Sequence, residues 1–387
     1  MKKKIICLAI AVIAILSGIV LVNKLFFPKD KVKTSDADQS PVDDTVDDTA
    51  EDTATEGDDN NTEEAAEDSA TEKEEDSSVA EKTESKTEET PDAFEPVLIG
   101  SSDNDKASYE YMDSMEFEED CPIWVKTKKD GVAYGTVVHQ TYASKTTGLE
   151  RGVNILLPAN YSTDKKYPVF YLLHGIFGNE HSFTGDSNMK IVEIFGNLIA
   201  EGVAEDMIVV FPDMFAKTSE DQKPGFDEAS FAAYDNIIND LENDLMPFIE
   251  QNYSILTDRE HQAIGGFSMG GREALYIGVT RPDLFAYCCA IAPAPGVTPG
   301  QDFAGYHKGM LQENELYVKD MDNMPYILMV CCGSKDSVVG KFPSSYHNIL
   351  TTNNVNHLWY EVNGADHDNR TIQSGIYNYA RYIFKAQ

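Results

Sequence analysis

Apolar and polar positions along this chain fall into three stretches of different rhythm. Residues 5–22 form one apolar run. Residues 28–95 hold almost no large apolar side chain. From Gly131 onward short apolar blocks alternate with amphipathic ones. Gly135–Tyr142 (GTVVHQTY) and Glu150–Leu157 (ERGVNILL) read as strands, with Thr146-Thr147-Gly148 as the hairpin turn between them. Pro168–Leu173 (PVFYLL) is nearly all apolar, the pattern of a parallel strand buried on both faces. Ile191–Glu201 reads as a helix and Met207–Phe211 as a strand. Over 234–249, Tyr234, Ile237, Ile238, Leu241, Leu245, Phe248 and Ile249 recur at helical spacing. Gln262–Gly266 is a short strand that runs into a helix carrying Leu275 and Ile277. Leu284–Ile291, Tyr326–Cys332 and His357–Val362 read as further strands, and Ile372–Phe384 as a closing helix. Strands alternating with helices predict the α/β class, a mostly parallel sheet with helices on both faces. This domain is expected over 133–387. Val97-Leu98-Ile99 and Trp124 mark 96–132 as an ordered N-terminal extension that wraps it.

The two N-terminal stretches have simpler readings. Three lysines precede the apolar run Ile5–Val22, which is long enough to span a bilayer, and no clear cleavage site follows it. Residues 1–27 are therefore expected to be an uncleaved membrane anchor, with the lysines left on the cytoplasmic side and the remainder exported. A cleaved signal segment, giving a secreted protein, is the alternative. Residues 28–95 cannot bury enough apolar surface to offset their ordering entropy, and like charges keep them extended. A disordered acidic linker is expected there.

Charge sharpens this division. Of the net −35, residues 1–33 carry +6, residues 34–95 carry −22, and residues 96–387 carry −19. So acidic a body is repelled by phosphate backbones, which excludes nucleic acid as a partner. The six cysteines do not form a disulfide framework. Cys7 lies in the apolar run and Cys121 is isolated. The vicinal pairs Cys288-Cys289 and Cys331-Cys332 lie on strands, where neighbouring side chains point to opposite faces. No C-x-x-C metal pattern is present.

The chemistry is concentrated where Gly266-Phe267-Ser268-Met269-Gly270 joins a strand to a helix. This is the setting a G-x-S-x-G nucleophile elbow requires, with Ser268 lifted above the sheet. A serine hydroxyl at neutral pH needs a general base, and the base needs an orienting acid. In doubly wound sheets with such an elbow they follow in the order serine, acid, histidine. After the Tyr326–Cys332 strand comes Gly333-Ser334-Lys335-Asp336, and after His357–Val362 comes Asn363-Gly364-Ala365-Asp366-His367-Asp368. Asp336 is the expected acid and His367 the expected base. Asp366 and Asp368 flank the base too closely to reach behind its ring, and are expected to shape the loop. His347 and His357 lack a suitable loop and read as surface or packing histidines. An oxyanion needs two converging N–H groups. The backbone of Met269 supplies one, and the loop His174-Gly175-Ile176-Phe177-Gly178 the other, with Ile176 first and Phe177 second. His174 reads as a brace for that loop.

Residues from about 133 to 385 resemble the esterase-D-like branch of α/β-hydrolases, closest to bacterial carbohydrate esterases of the feruloyl and acetyl-xylan kind. NILLPANY, YPVFYLLHGIFGNE, GGFSMGG, GSKD and GADHD carry the resemblance. It implies an α/β-hydrolase fold, Ser268, Asp336 and His367 as triad, Ile176 and Met269 as oxyanion donors, and no metal or organic cofactor. It implies an ester substrate, feruloyl or acetyl groups on a plant polysaccharide such as xylan, or another acyl ester such as a siderophore lactone or thioester; some relatives transfer acyl groups. One departure stands out. Feruloyl members often carry H-D-x-x-x-W, whereas here His367-Asp368 is followed by Asn369-Arg370-Thr371-Ile372. Two readings from other classes are weaker. A non-catalytic glycan-binding surface protein predicts a damaged triad, and a cytosolic thioester hydrolase conflicts with the expected anchor.

Overall fold

The computed structural model describes residues 102–386; the expected anchor and acidic linker lie outside them. Ten strands are described: β1 (Thr136–Ala143), β2 (Glu150–Leu157), β3 (Val169–Leu173), β4 (Ile208–Pro212), β5 (Gln262–Phe267), β6 (Tyr287–Ile291), β7 (Gly300–Asp302), β8 (Gly305–His307), β9 (Ile327–Gly333) and β10 (Leu358–Val362). Eight of them form one sheet in the order β1-β2-β4-β3-β5-β6-β9-β10, and β7 and β8 form a separate hairpin. β1 and β2 pair antiparallel, β2 meets β4 antiparallel, and every other pairing in the large sheet is parallel. This is an α/β-hydrolase-like arrangement.

The alternation of side chains along a strand divides the core in two. Val169, Tyr171 and Leu173 of β3 face one layer, and Phe170 and Leu172 the other. The first layer is filled by α4 (Glu228–Asp235), α5 (Ile237–Asp240), α6 (Met246–Asn252), α7 (Met269–Thr280) and α8 (Phe342–Thr352). The second takes α3 (Ile191–Ala200) and α9 (Asn369–Ala380), with α2 (Ile123–Lys126) of the N-terminal lead-in. The lead-in also contains α1 (Asp103–Asp113). Among the described residues, no helix is long and apolar enough to cross a membrane. Cys288 faces the first layer and Cys289 and Cys331 the second, and all five described cysteines are free and buried.

Three expectations need correction. The single helix over 234–249 is broken: α4 and α5 are followed by a π-helical turn, Leu241–Leu245, and then α6. Pro247 has no N–H for the helical ladder and crowds the preceding turn, which widens ahead of it. The strand expected from Leu284 begins only at Tyr287, because the amides of Leu284 and Phe285 turn back onto the Arg281 carbonyl. The closing helix starts three residues early, at Asn369, because the Asp368 carboxylate caps the amides of Arg370 and Thr371. Helix α8 and the β7–β8 hairpin have no counterpart in the apolar pattern.

Candidate active site

The parallel strands β3, β5, β9 and β10 all end at one edge of the sheet, and every candidate residue stands just past the end of one of them, on a loop or, for Met269, at the start of α7. Such an edge is where open α/β sheets bind ligands.

Ser268 follows β5 with φ 59° and ψ −115°, then leads directly into α7. The glycines beside it are required by contact. A Cβ on Gly266 would run into the Gly270 backbone, and a Cβ on Gly270 into the carbonyls of Leu173 and His174. Although Ser268 sits at the helix cap position, its hydroxyl makes no capping bond, so the oxygen is not consumed by the helix. Its amide donates to Ile291 O at 2.9 Å, and its carbonyl accepts from Arg272 and Ala294.

His367 and Asp336 are brought together from loops 31 residues apart. His367 Nδ1 lies 2.8 Å from Asp336 Oδ2, and the acid side chain is 1 % exposed. The other carboxylate oxygen of Asp336 accepts the amides of Val338 and Val339 at 3.0 and 2.9 Å, which fixes the plane of the group. The His367 ring packs against that of Phe267, centroids 4.3 Å apart, so the base stands beside the elbow. Asp366 turns away from the imidazole. It accepts from the amides of Ser337 and His367 and from the Ser337 hydroxyl. Burial pushes its carboxyl up, yet these donors outweigh burial and hold it below the ordinary carboxylate range. Its role is to tie the acid loop to the base loop.

Gly175 lies against the serine: a Cβ added there would stand 3.3 Å from that of Ser268. Among the described residues, neither the Ile176 nor the Met269 amide meets a protein acceptor. The Phe177 amide is committed, donating to the Tyr234 hydroxyl at 2.9 Å. Of the two loop donors considered, Ile176 is the one left free. The Met269 amide opens a twelve-residue helix, whose positive end faces the same place. His174 braces the loop. Its Nδ1 donates to Gly175 O at 2.7 Å and its Nε2 accepts the Met214 amide at 2.9 Å. Both ring nitrogens are thereby occupied, so it is no rival base.

Several residues of this region have roles that leave no sequence signal. Tyr234 comes from α4, 57 residues from the amide it holds. Arg151 of β2 is buried and bonds Asp240 and the carbonyls of Asp213 and Phe215, steadying the loop that receives His174. Behind the elbow, Arg272 lies buried between Asp235, at 2.6 Å, and Glu273. Burial, helped by Asp235 and opposed by Arg272, pushes the Glu273 carboxyl up to about 8. An aromatic ridge leaves the oxyanion loop. Phe177 meets Phe226 edge-on at 5.2 Å, and Phe226 meets Phe303 at 5.2 Å. Phe303 lies between β7 and β8, and it and Tyr306 are largely exposed. Ile372, at the position of the aromatic residue in H-D-x-x-x-W, is buried in the core.

Comparison with known proteins fits this geometry. The esterase family model, described as "Putative esterase", matches residues 144–375, more than half the chain and a span that includes all three candidate residues. The chain belongs to the esterase family. A CE1 ferulic acid esterase, AmCE1/Fae1A from Anaeromyces mucronatus, solved in complex with ferulic acid, is 45% identical. It aligns over 70% of this chain and 99% of its own with a TM-score of 0.67. An endo-1,4-beta-xylanase/feruloyl esterase of Xylanibacter ruminicola is 27% identical over 253 residues, 63% of this chain and 31% of that one. Endo-1,4-beta-xylanase Y of Acetivibrio thermocellus is 32% identical over 166 residues, 40% of this chain and 14% of that protein. The esterase chain thus spans less than a third of these two curated relatives.

Proposed function

We propose that this esterase-family chain is a serine carboxylic-ester hydrolase that removes feruloyl or acetyl groups from plant polysaccharide such as xylan. Ser268 Oγ attacks the ester carbonyl while its proton passes to His367 Nε2. The developing oxyanion accepts from the amides of Ile176 and Met269. Each such donor contributes about 3–4 kcal/mol to transition-state stabilisation. His367 then gives its proton to the leaving alcohol, and water, activated by the same ring, releases the acyl group. Asp336 holds Nδ1–H of His367 and keeps Nε2 facing the serine. The observation that carries this reading is the 2.8 Å Asp336–His367 pair beside an elbow serine whose hydroxyl does not cap its helix.

The substrate class is supported by the named activities of the similar proteins and by the ridge Phe177–Phe226–Phe303, whose ring faces suit a planar aromatic acyl group or a sugar. Action outside the cell, from an N-terminal membrane anchor, is supported by the lysine-flanked apolar run and acidic spacer of the sequence. The test uses the full-length protein and Ser268→Ala on p-nitrophenyl acetate, methyl ferulate and acetylated xylan. Wild-type cleavage that disappears in the variant is expected. Phe226→Ala should raise KM for methyl ferulate by roughly three- to tenfold and leave p-nitrophenyl acetate unchanged. Hydrolysis that survives Ser268→Ala would overturn the mechanism. Turnover of acetyl esters alone would move the substrate away from ferulate.

A further inference from the structure

Outside the candidate active site, one face of the sheet edge gathers two imidazoles and a carboxylate. His139 of β1 pairs directly across from Asn154 of β2. Gly152, two residues back, shares the Asn154 face. The segment 179–184, which follows the oxyanion loop, crosses this face and brings Glu180 and His181 to it. One donor atom from each of His139, Glu180 and His181 lies within 4.8 Å of the others. We propose that these three side chains bind a divalent transition-metal ion of the zinc class, in a site separate from the serine chemistry.

The spacing suits such an ion. His181 Nε2 stands 3.3 Å from Glu180 Oε1. That is about the separation of two donors each roughly 2.0–2.2 Å from one tetrahedral centre. The His139 and His181 rings lie nearly parallel, 28° apart, with centroids at 5.2 Å, so a small swing of either exposed ring closes the third distance. Three protein donors leave a position for water. Two imidazoles and one carboxylate favour zinc and its neighbours over calcium or magnesium, which prefer all-oxygen sets.

The surroundings hold the donors in place. Asn154 is buried, and its Oδ1 lies 3.0 Å from His139 Nδ1. That bond sets the proton on Nδ1 and leaves the Nε2 lone pair for a ligand bond. Asn154 Nδ2 has three acceptors within reach: Glu180 O at 3.1 Å, Thr184 Oγ1 at 2.9 Å and His181 Nδ1 at 2.9 Å. Two hydrogens satisfy the first two. To bind the ion, the half-exposed His181 ring swings off Asn154 Nδ2, carries its proton on Nδ1 and offers Nε2. The Glu180 carboxylate sits directly over Gly152, in space that any Cβ there would fill. An ion here fastens edge strand β1 to Glu180 and His181, four and five residues after Ile176, and so steadies the exit of the oxyanion loop. It touches no reacting atom.

The experiment titrates zinc into chelator-stripped full-length protein by calorimetry, with magnesium as the control ion, and follows Tm. One saturable zinc per chain, a rise in Tm and no matching magnesium effect are expected. His139→Ala and His181→Ala, both at exposed positions, should each abolish that binding. Glu180→Gln should weaken it, and His261→Ala, a histidine elsewhere, should leave it intact. Zinc binding that persists in both His139→Ala and His181→Ala places the ion elsewhere and overturns the proposal. So does the absence of saturable zinc binding in a folded wild type.

Discussion

Ser268 holds a backbone conformation that costs a non-glycine residue about 1–3 kcal/mol. Its amide bond to Ile291, its carbonyl bonds to Arg272 and Ala294, and the glycines packed on either side leave it no alternative. At this scale the acid is the sharpest test. In Asp336→Asn the amides of Val338 and Val339 keep an oxygen to bond, so the loop should stand. The new amide nitrogen, however, meets Nδ1–H of His367, and the ring turns to the wrong tautomer. We expect kcat to fall about ten-thousand-fold with KM and Tm little changed. A loss under tenfold would mean that another carboxylate orients the ring. The three candidate residues were legible in the sequence because each directly follows an apolar strand. The hold of Tyr234 on Phe177 was not, since a hydroxyl 57 residues away leaves no periodic trace.

Helix α7 does two jobs at once. Its first turn presents the Met269 amide at the elbow, and its fourth and fifth residues, Arg272 and Glu273, are buried against α4 through Asp235. Apolar periodicity reported where the helix runs, but it is blind to an ionisable pair packed inside, as it was to the π turn ahead of Pro247. The buried pair makes stability depend on pH. Glu273 has a carboxyl pushed up to about 8 in the folded chain against an ordinary 4.5, so folding takes up a proton between those values. Its contribution is therefore complete below pH 4.5 and is lost as pH rises through 8. Glu273→Gln carries the neutral form at every pH. Thermal unfolding from mildly acidic to mildly alkaline pH should show the wild type losing Tm relative to the variant across that window. Parallel pH curves for the two proteins would show that Glu273 stays ionised beside Arg272.

Across the whole described chain, the lead-in before β1 is bound by specific polar contacts as well as by apolar packing. Asp120 forms a two-pronged pair with Arg370 at 2.6 and 2.7 Å. The Cys121 amide bonds Ser374 Oγ, and Glu118 exchanges two bonds with Asn378. All three partners lie on α9, the helix that starts just after His367. On α3, the fully buried Asn197 shares its two amide hydrogens among the carbonyls of Val125, Thr127 and, at 3.3 Å, Trp124, and its own carbonyl accepts the Tyr134 hydroxyl at 2.8 Å. The sequence offered only Trp124 and three apolar residues as a hint of order there, because side chain to backbone bonds follow no period. Asn197→Ala takes the partner from three lead-in carbonyls and a tyrosine hydroxyl, of which the Val125 carbonyl is the one fully shut off from water. Each buried unsatisfied group costs about 1–3 kcal/mol, and partial relaxation toward solvent leaves an expected loss of about 3 kcal/mol. Urea unfolding should give a lower midpoint with an unchanged slope, while kcat below the transition stays at the wild-type value, since no reacting group moves. A first, separate transition at low urea would show instead that the lead-in detaches on its own, and that α9 can hold His367 without it.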